Sequence, residues 1–451
     1  MRVANVLRHT LCVLPFFEET TPMSKHILKE LPDLIQAKVI TEETAQRIKD
    51  YYDHQPSQSA NRLFIVFGIL GSLLVGMGIV LIIAHNWDTL PKIAKLVVGF
   101  SPLFIGQVIS GYVLIKKTDE RGWREGAAVF LFFAIAISIS IVSQVYNIEG
   151  NLGGFLFIWM CLALPVAYVL RSSVASLLFI VVITWYACEV GYFNYPHSHS
   201  PHYWILLLLI LPFYYLEFIR KNLKNNFFYF HSWLLVLSLT ICLGLFADQA
   251  EETILIAYMS LFSAFILMSQ LKTFETGRVL TNAFLVVGSL GIIALLLALS
   301  FDWYWDELSD GSLNAVFGHP ESIVSIVLVV ICAGLLVLLL KSKKWNDINS
   351  KSYAFIIFVI LFFVGLSSPG VSQLLINLLI LILAIHTIRD GAHRNHLGIL
   401  NYGLLILTAL ITCRFFDTDF SFVVRGLLFI TIGIGFFAAN YYMIKKRKKQ
   451  V

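Results

Sequence analysis

LFIVFGILGSLLVGMGIVLIIAHNWDTLPKIAKLVVGF, residues 63–100, holds two apolar runs separated by one short polar connection. The first run, 63–84, carries no charge. A bilayer core of roughly 30 Å is crossed by about 20 helical residues, so this run is long enough to span it. Gly68, Ser72 and Gly76 lie four apart on one helical face, where small side chains let another helix approach closely. The polar connection places Trp87 at the boundary, as interfacial anchors do, and Pro91 suits the first turn of the next helix.

Outward from this stretch the pattern repeats to Ile444. Apolar runs read as 63–84, 93–115, 127–146, 153–170, 174–190, 203–219, 228–247, 253–270, 279–299, 322–340, 353–368, 371–388, 397–413 and 422–444. The expected fold is therefore all-α, a polytopic transmembrane helical bundle of about fourteen spans. With 58% hydrophobic and only 14% charged residues, the chain has no material for a soluble core of domain size.

The net charge of +5 does not point to nucleic acid, because the basic residues sit in short loops and in the tail KKRKK rather than on one extended face. They follow orientation instead. With the N-terminus inside, inward loops hold Arg121, Arg124, Arg171, Arg220, Lys221, Lys341, Lys344 and Arg389 among others, whereas outward loops keep Lys92, Lys95, Arg414 and Arg425. Both termini are expected to be cytoplasmic, with an acidic outer face. The largest outer loop, 301–321, is rich in aromatics, which are expected at the membrane interface.

Before the first span, residues 1–22 show no periodicity and no cleavable signal; they are expected to be unstructured, or to precede the true start at Met23. Residues 23–60 read as a cytosolic helical hairpin with its linker. Leu31, Leu34 and Ile35 recur at helical spacing, and Thr41 can cap a second helix that opens with Glu42 and Glu43. So small a unit needs a surface to dock on: the membrane domain, a second copy, or a cytosolic protein partner. The remaining divisions are a membrane region at 61–170, further spans at 171–444 and a basic tail at 445–451.

Together the helical hairpin, the glycine-rich first span, Ala84, Asn86, Trp87, Asp88, Leu90 and Pro91 as an A-x-N-W-D-x-L-P signature, and Lys92 after it resemble a bacterial family of predicted membrane proteins, a domain of unknown function. The resemblance covers roughly residues 28 to 170. It implies the bacterial cytoplasmic membrane and no established activity, so no catalytic residue follows from it.

Two groups of polar residues are candidate sites. One is external: His85, Asn86, Trp87, Asp88 and Lys92 after the first span, with Arg414, Asp417, Asp419 and Arg425 before the last. Pairing of helix ends or the mouth of a cavity would each explain it. The other is a cavity wall on the third span, where Ser140, Ser143 and Gln144 share a face at spacings of three and four. The in-span polar residues Gln107, Ser138, Ser140, Ser143, Gln144, Asn282, Gln373, Asn377, His386 and Asn401 are each explained by hydrogen bonding between helices.

Glu189 and Glu217 are the carboxylates nearest a span, both near its end, and no buried acid of the pump type is expected. His197, His199 and His202 in the outer loop suggest a metal only weakly, and a flexible loop is preferred; no metal or cofactor is assigned. Nucleotide-binding, zinc-protease and hydrolase motifs are missing from the aqueous segments. Three functions stay open. These are a permease or flippase-like translocator, a non-catalytic sensor or assembly component, and a membrane enzyme acting at the external face on a lipid-linked substrate, with Asp88 as base or metal ligand and Arg414 or Arg425 on a phosphate. An enzyme is the less favoured.

Overall fold

A computed structural model describes residues 31–53, 87–193, 201–247, 251–276, 279–310, 319–342 and 344–417, with isolated positions between 423 and 441. The span expected at 63–84 and most of that at 422–444, together with His85, Asn86, His197, His199, Asp419 and Arg425, lie outside the described residues. All regular structure among the described residues is helical. The chain divides into two compact units, Met1–Leu90 and Pro91–Val451.

In the first unit, a helical segment at 31–36 is followed by a turn in which Lys38 is left-handed (φ 54°) and by α1, Glu42–Asp53. Thr41 Oγ1 accepts from the Thr44 backbone N–H at 3.3 Å, and Glu42 and Glu43 face the positive end of the helix dipole.

The second unit contains α2 (Lys92–Lys116), α3 (Arg121–Tyr146), α4 (Leu152–Val169), α5 (Ser173–Cys188), α6 (His202–Tyr214), α7 (Asn226–Leu243) and α8 (Glu251–Ser269). After them come α9 (Ala283–Ala298), α10 (Trp303–Asp310), α11 (Pro320–Leu340), α12 (Ala354–Gly365), α13 (Pro369–His393) and α14 (Leu397–Asp417). Polar residues set where these apolar helices start. Asn151, Ser172, Asn225 and Asn282 each accept a backbone N–H three residues on, which satisfies one donor that the helix itself cannot. The links between helices turn through left-handed residues, Asn147, Arg171, Asn222 and Asn395.

Among the described residues, ten helices are long and apolar enough to cross a membrane. The expected span 279–299 is α9, long enough to cross only together with α10 from the following loop, to which it is joined by a 72° bend, and the expected span 353–368 is the shorter apolar α12, preceded by a 3-10 turn at Ser350–Tyr353. The core is centred on α8, whose apolar window is 78% buried, against 22–44% for the other spans. Its neighbours are α7, α9, α11 and α12. On the far side α13 and α14 pack so closely that a Cβ on Gly391 would lie 2.4 Å from the Leu400 backbone nitrogen.

Two expectations are corrected here. Aromatics of the loop after α9 do not all sit at the interface: Tyr304 and Trp305 are fully buried, while Trp303 is exposed. Trp305 donates its Nε1–H to the Leu299 carbonyl at 2.8 Å and packs where Gly365 leaves room for its ring; Tyr304 donates to the Glu252 carbonyl at 3.1 Å. The loop folds back because each ring finds both an apolar slot and an acceptor for its polar tip. Likewise a buried carboxylate does exist, Glu321 in the first turn of α11, with only 2% exposure.

Candidate functional site

Ser138 draws α3 against α2. Its hydroxyl lies 3.0 Å from the Gly99 carbonyl and 2.9 Å from the Ala134 carbonyl. On the other flank Trp159 of α4 donates its Nε1–H to the Phe132 carbonyl of α3 at 2.9 Å. With α3 tied to both neighbours, a cavity of about 1240 Å³ remains along α2, α3 and α4. Its walls are mostly apolar, from Phe100, Leu103, Leu131, Phe155, Ile158 and Leu162, and its mouth is the polar link 148–151.

Ser140, Ser143 and Gln144 line this cavity, joined by Gln107 from α2. Ser143 is committed to the mouth: its hydroxyl donates to the Ile148 carbonyl at 3.1 Å, while the Ile148 N–H donates to the Ser143 carbonyl at 2.9 Å. Asn151 turns its side-chain oxygen to the Gly154 N–H at 2.7 Å and starts α4. Gln107, Ser140 and Gln144 differ, since none of their side chains makes a hydrogen bond among the described residues. At 1.5 Å per residue, Gln144 lies about 3 Å from the end of α3, Ser140 about 9 Å, and Gln107 about 22 Å from the start of the adjacent α2. Unanswered amides and a hydroxyl are thus staggered down an otherwise apolar groove. Glu149 at the mouth is the charged residue of the lining.

The expectation of interhelical bonding for the in-span polar residues divides. Ser138 fulfils it, as do Gln373 and Asn377 of α13, which donate to the Ser300 carbonyl at 3.3 and 3.1 Å. Asn282 caps α9 and reaches back to the Phe274 carbonyl at 3.2 Å. By contrast Gln107, Ser140, Gln144, His386 and Asn401 show no such bond among the described residues.

Of the external candidates, Arg414 is not among the residues that line this groove. Arg414 in the last turn of α14 donates to Ser300 Oγ at 3.3 Å and stands 4.9 Å from the Phe301 ring, in the same cluster as Gln373 and Asn377. Asp417 ends α14. Trp87 and Asp88 form a single 3-10 turn, Trp87–Thr89, in the first unit, and Lys92 opens α2 with its side chain exposed. His202 lies against the Phe157 ring at 4.6 Å and within 3.1 Å of the Tyr186 hydroxyl, and no group of three metal-ligating side chains occurs among the described residues.

Sequence reasoning missed Gln107, Glu149 and Asn151 as groove residues. The signal lay in an amide near the middle of an apolar span, where its solvation cost is highest. Residues 32–176 match the family model described as "Predicted membrane protein (DUF2157)". Every residue lining the groove falls within that match. No curated protein and no solved structure shows a match to the chain. Family and apolar helices together make this a membrane protein with many helical spans.

Proposed function

We propose that the protein is a translocator of the permease or flippase kind in the bacterial cytoplasmic membrane, with both termini inside and the α2–α3–α4 groove as its substrate path. The observation that carries this reading is the run of unpaired Gln107, Ser140 and Gln144 at increasing depth in an apolar-walled groove. An amide left unanswered in an apolar setting costs about 1–3 kcal/mol. A substrate whose polar group moves from Gln144 past Ser140 to Gln107 recovers that cost at each station, while its apolar part stays against Leu103, Phe155 and Ile158. The carboxylate of Glu149 at the mouth favours a neutral, zwitterionic or cationic polar group over an anionic one.

Proteoliposomes test this. Movement of a fluorescent zwitterionic phospholipid between leaflets, read by dithionite quenching, and uptake of small zwitterionic and cationic solutes are measured for the wild type and for Gln144→Leu and Ser140→Ala. One of these cargoes is expected to cross faster with the wild type than with empty vesicles, and more slowly with the groove variants. Transport that both variants leave untouched, or no transport of any cargo, would sink the proposal.

A further inference from the structure

At the opposite end of α3 from the groove mouth, two adjoining clefts of about 250 and 400 Å³ share Arg171, Glu217 and Lys221. The smaller adds Arg121, Arg124 and Glu125; the larger adds Arg220. Both carboxylates are already engaged. Glu125 accepts from the Ser172 hydroxyl at 2.5 Å and from the Ser173 and Val174 N–H groups at 3.1 and 2.9 Å, which commits its charge to the start of α5. Glu217 accepts from Lys221 Nζ at 2.6 Å. Arg121 is held by the Phe227 ring, 4.3 Å from its guanidinium carbon, and stands 3.7 Å from Glu125.

Three guanidinium groups are left over. Arg171 and Arg220 have no carboxylate within 4.0 Å among the described residues, and the Nε of Arg124 is buried there without a hydrogen-bond partner. Arg171 and Arg220 are exposed, as the loop cations Lys341 and Lys344 are, but they open onto the same pair of clefts as Arg124, whose Nε is buried. A buried guanidinium N–H needs an acceptor. Arg171, moreover, occupies a left-handed backbone position (φ 47°) that asparagine fills at three other links. Along the same opening Tyr168, Phe213 and Leu216 form an apolar flank.

We propose that these clefts bind the phosphate headgroup of an anionic phospholipid, with Arg124, Arg171 and Arg220 on the phosphate oxygens and an acyl chain along Tyr168 and Leu216. Guanidinium forks match phosphate geometry, and basic pockets between spans on the cytoplasmic side are suited to such headgroups. The site is separate from the groove and stands without the transport reading.

The test uses the full chain in detergent, with lipid retention followed by native mass spectrometry. The probes are phosphatidylglycerol, phosphatidylcholine and inorganic phosphate. Wild type is expected to retain phosphatidylglycerol over phosphatidylcholine, and the Arg171→Gln/Arg220→Gln double variant to bind it about tenfold more weakly, a loss of about 1.4 kcal/mol. A charge-matched Lys341→Gln/Lys344→Gln variant should bind as the wild type does. Equal losses in the two double variants, or no preference for phosphatidylglycerol, would overturn the site. If inorganic phosphate displaces phosphatidylglycerol and is itself lost in the cleft variant, the ligand is a soluble phosphate and the lipid assignment fails. Arg171 and Arg220 are exposed, so the double variant should still fold; Arg124→Gln is then read only where its elution from a sizing column matches the wild type.

Discussion

Replacing Gln107 by leucine is expected to stabilise the protein while impairing its function. α2 has 25 residues, about 37 Å at 1.5 Å each, and Gln107 lies about 22 Å from one end and about 14 Å from the other. That is mid-bilayer depth. The side chain is exposed on the groove and makes no hydrogen bond among the described residues. An unpaired amide in such a setting costs about 1–3 kcal/mol, and leucine of similar length removes that cost without opening a cavity. Thermal stability should rise by about 2–4 °C per kcal/mol at most, because the shift per unit energy shrinks as the chain grows. The assay is unfolding of the purified chain in lipid nanodiscs, beside transport of whichever cargo the wild type moves. The reasoning is refuted if Gln107→Leu is less stable than the wild type, since the amide must then have a partner and the groove is not a polar track.

Other expectations follow from packing and charge. In α13, Gly391→Ala puts a methyl group 2.4 Å from the Leu400 nitrogen and 2.7 Å from its Cα, backbone atoms that cannot swing aside, so it should destabilise by about 1–3 kcal/mol. Gly370→Ala in the same helix meets nothing within 4 Å and should be neutral or slightly stabilising; equal melting temperatures for the two variants would contradict the close α13–α14 contact. Lys351, in the link before α12 and outside the spans, is buried, and that burial pushes its ammonium down to about 8, with Asp390 opposing the shift. Unfolded lysine titrates near 10.5, so the folded state holds fewer protons between about pH 8 and 10.5. Stability should therefore rise with pH through that window, and the burial penalty should be fully present below pH 8. Lys351→Met is expected to be more stable than the wild type at pH 7 and to flatten the rise; a variant whose pH profile matches the wild type would refute it.

Much of the architecture could be read from local pattern alone. Runs of about twenty apolar residues announce helices in a bilayer, because the backbone there has no solvent to bond and must satisfy itself. Thr41 before Glu42 and Glu43 marks the start of α1 for a reason confined to one helical turn. The spacing of Ser140, Ser143 and Gln144 puts them on one face through the helical period, and all three line a single cavity. Glu125 shows where that legibility stops. Its three bonds reach across 47 to 49 residues to the start of α5, and nothing near it in the chain foretells them.

Local pattern thus settles the membrane class, the approximate limits of most helices and the polar face of α3. Packing in three dimensions is what brings Gln107 to the same cavity as Gln144, joins Arg414 to Ser300, and buries Tyr304, Trp305 and Glu321. The physical reason is the solvent. In water, polarity separates the outer face of a helix from its inner face, but lipid is as apolar as the packed interior, so hydropathy cannot say how a span is rotated about its own axis. Close contacts make that choice, such as Ser138 on Gly99, Trp159 on Phe132 and Gly391 on Leu400, each joining residues that only the folded chain brings together.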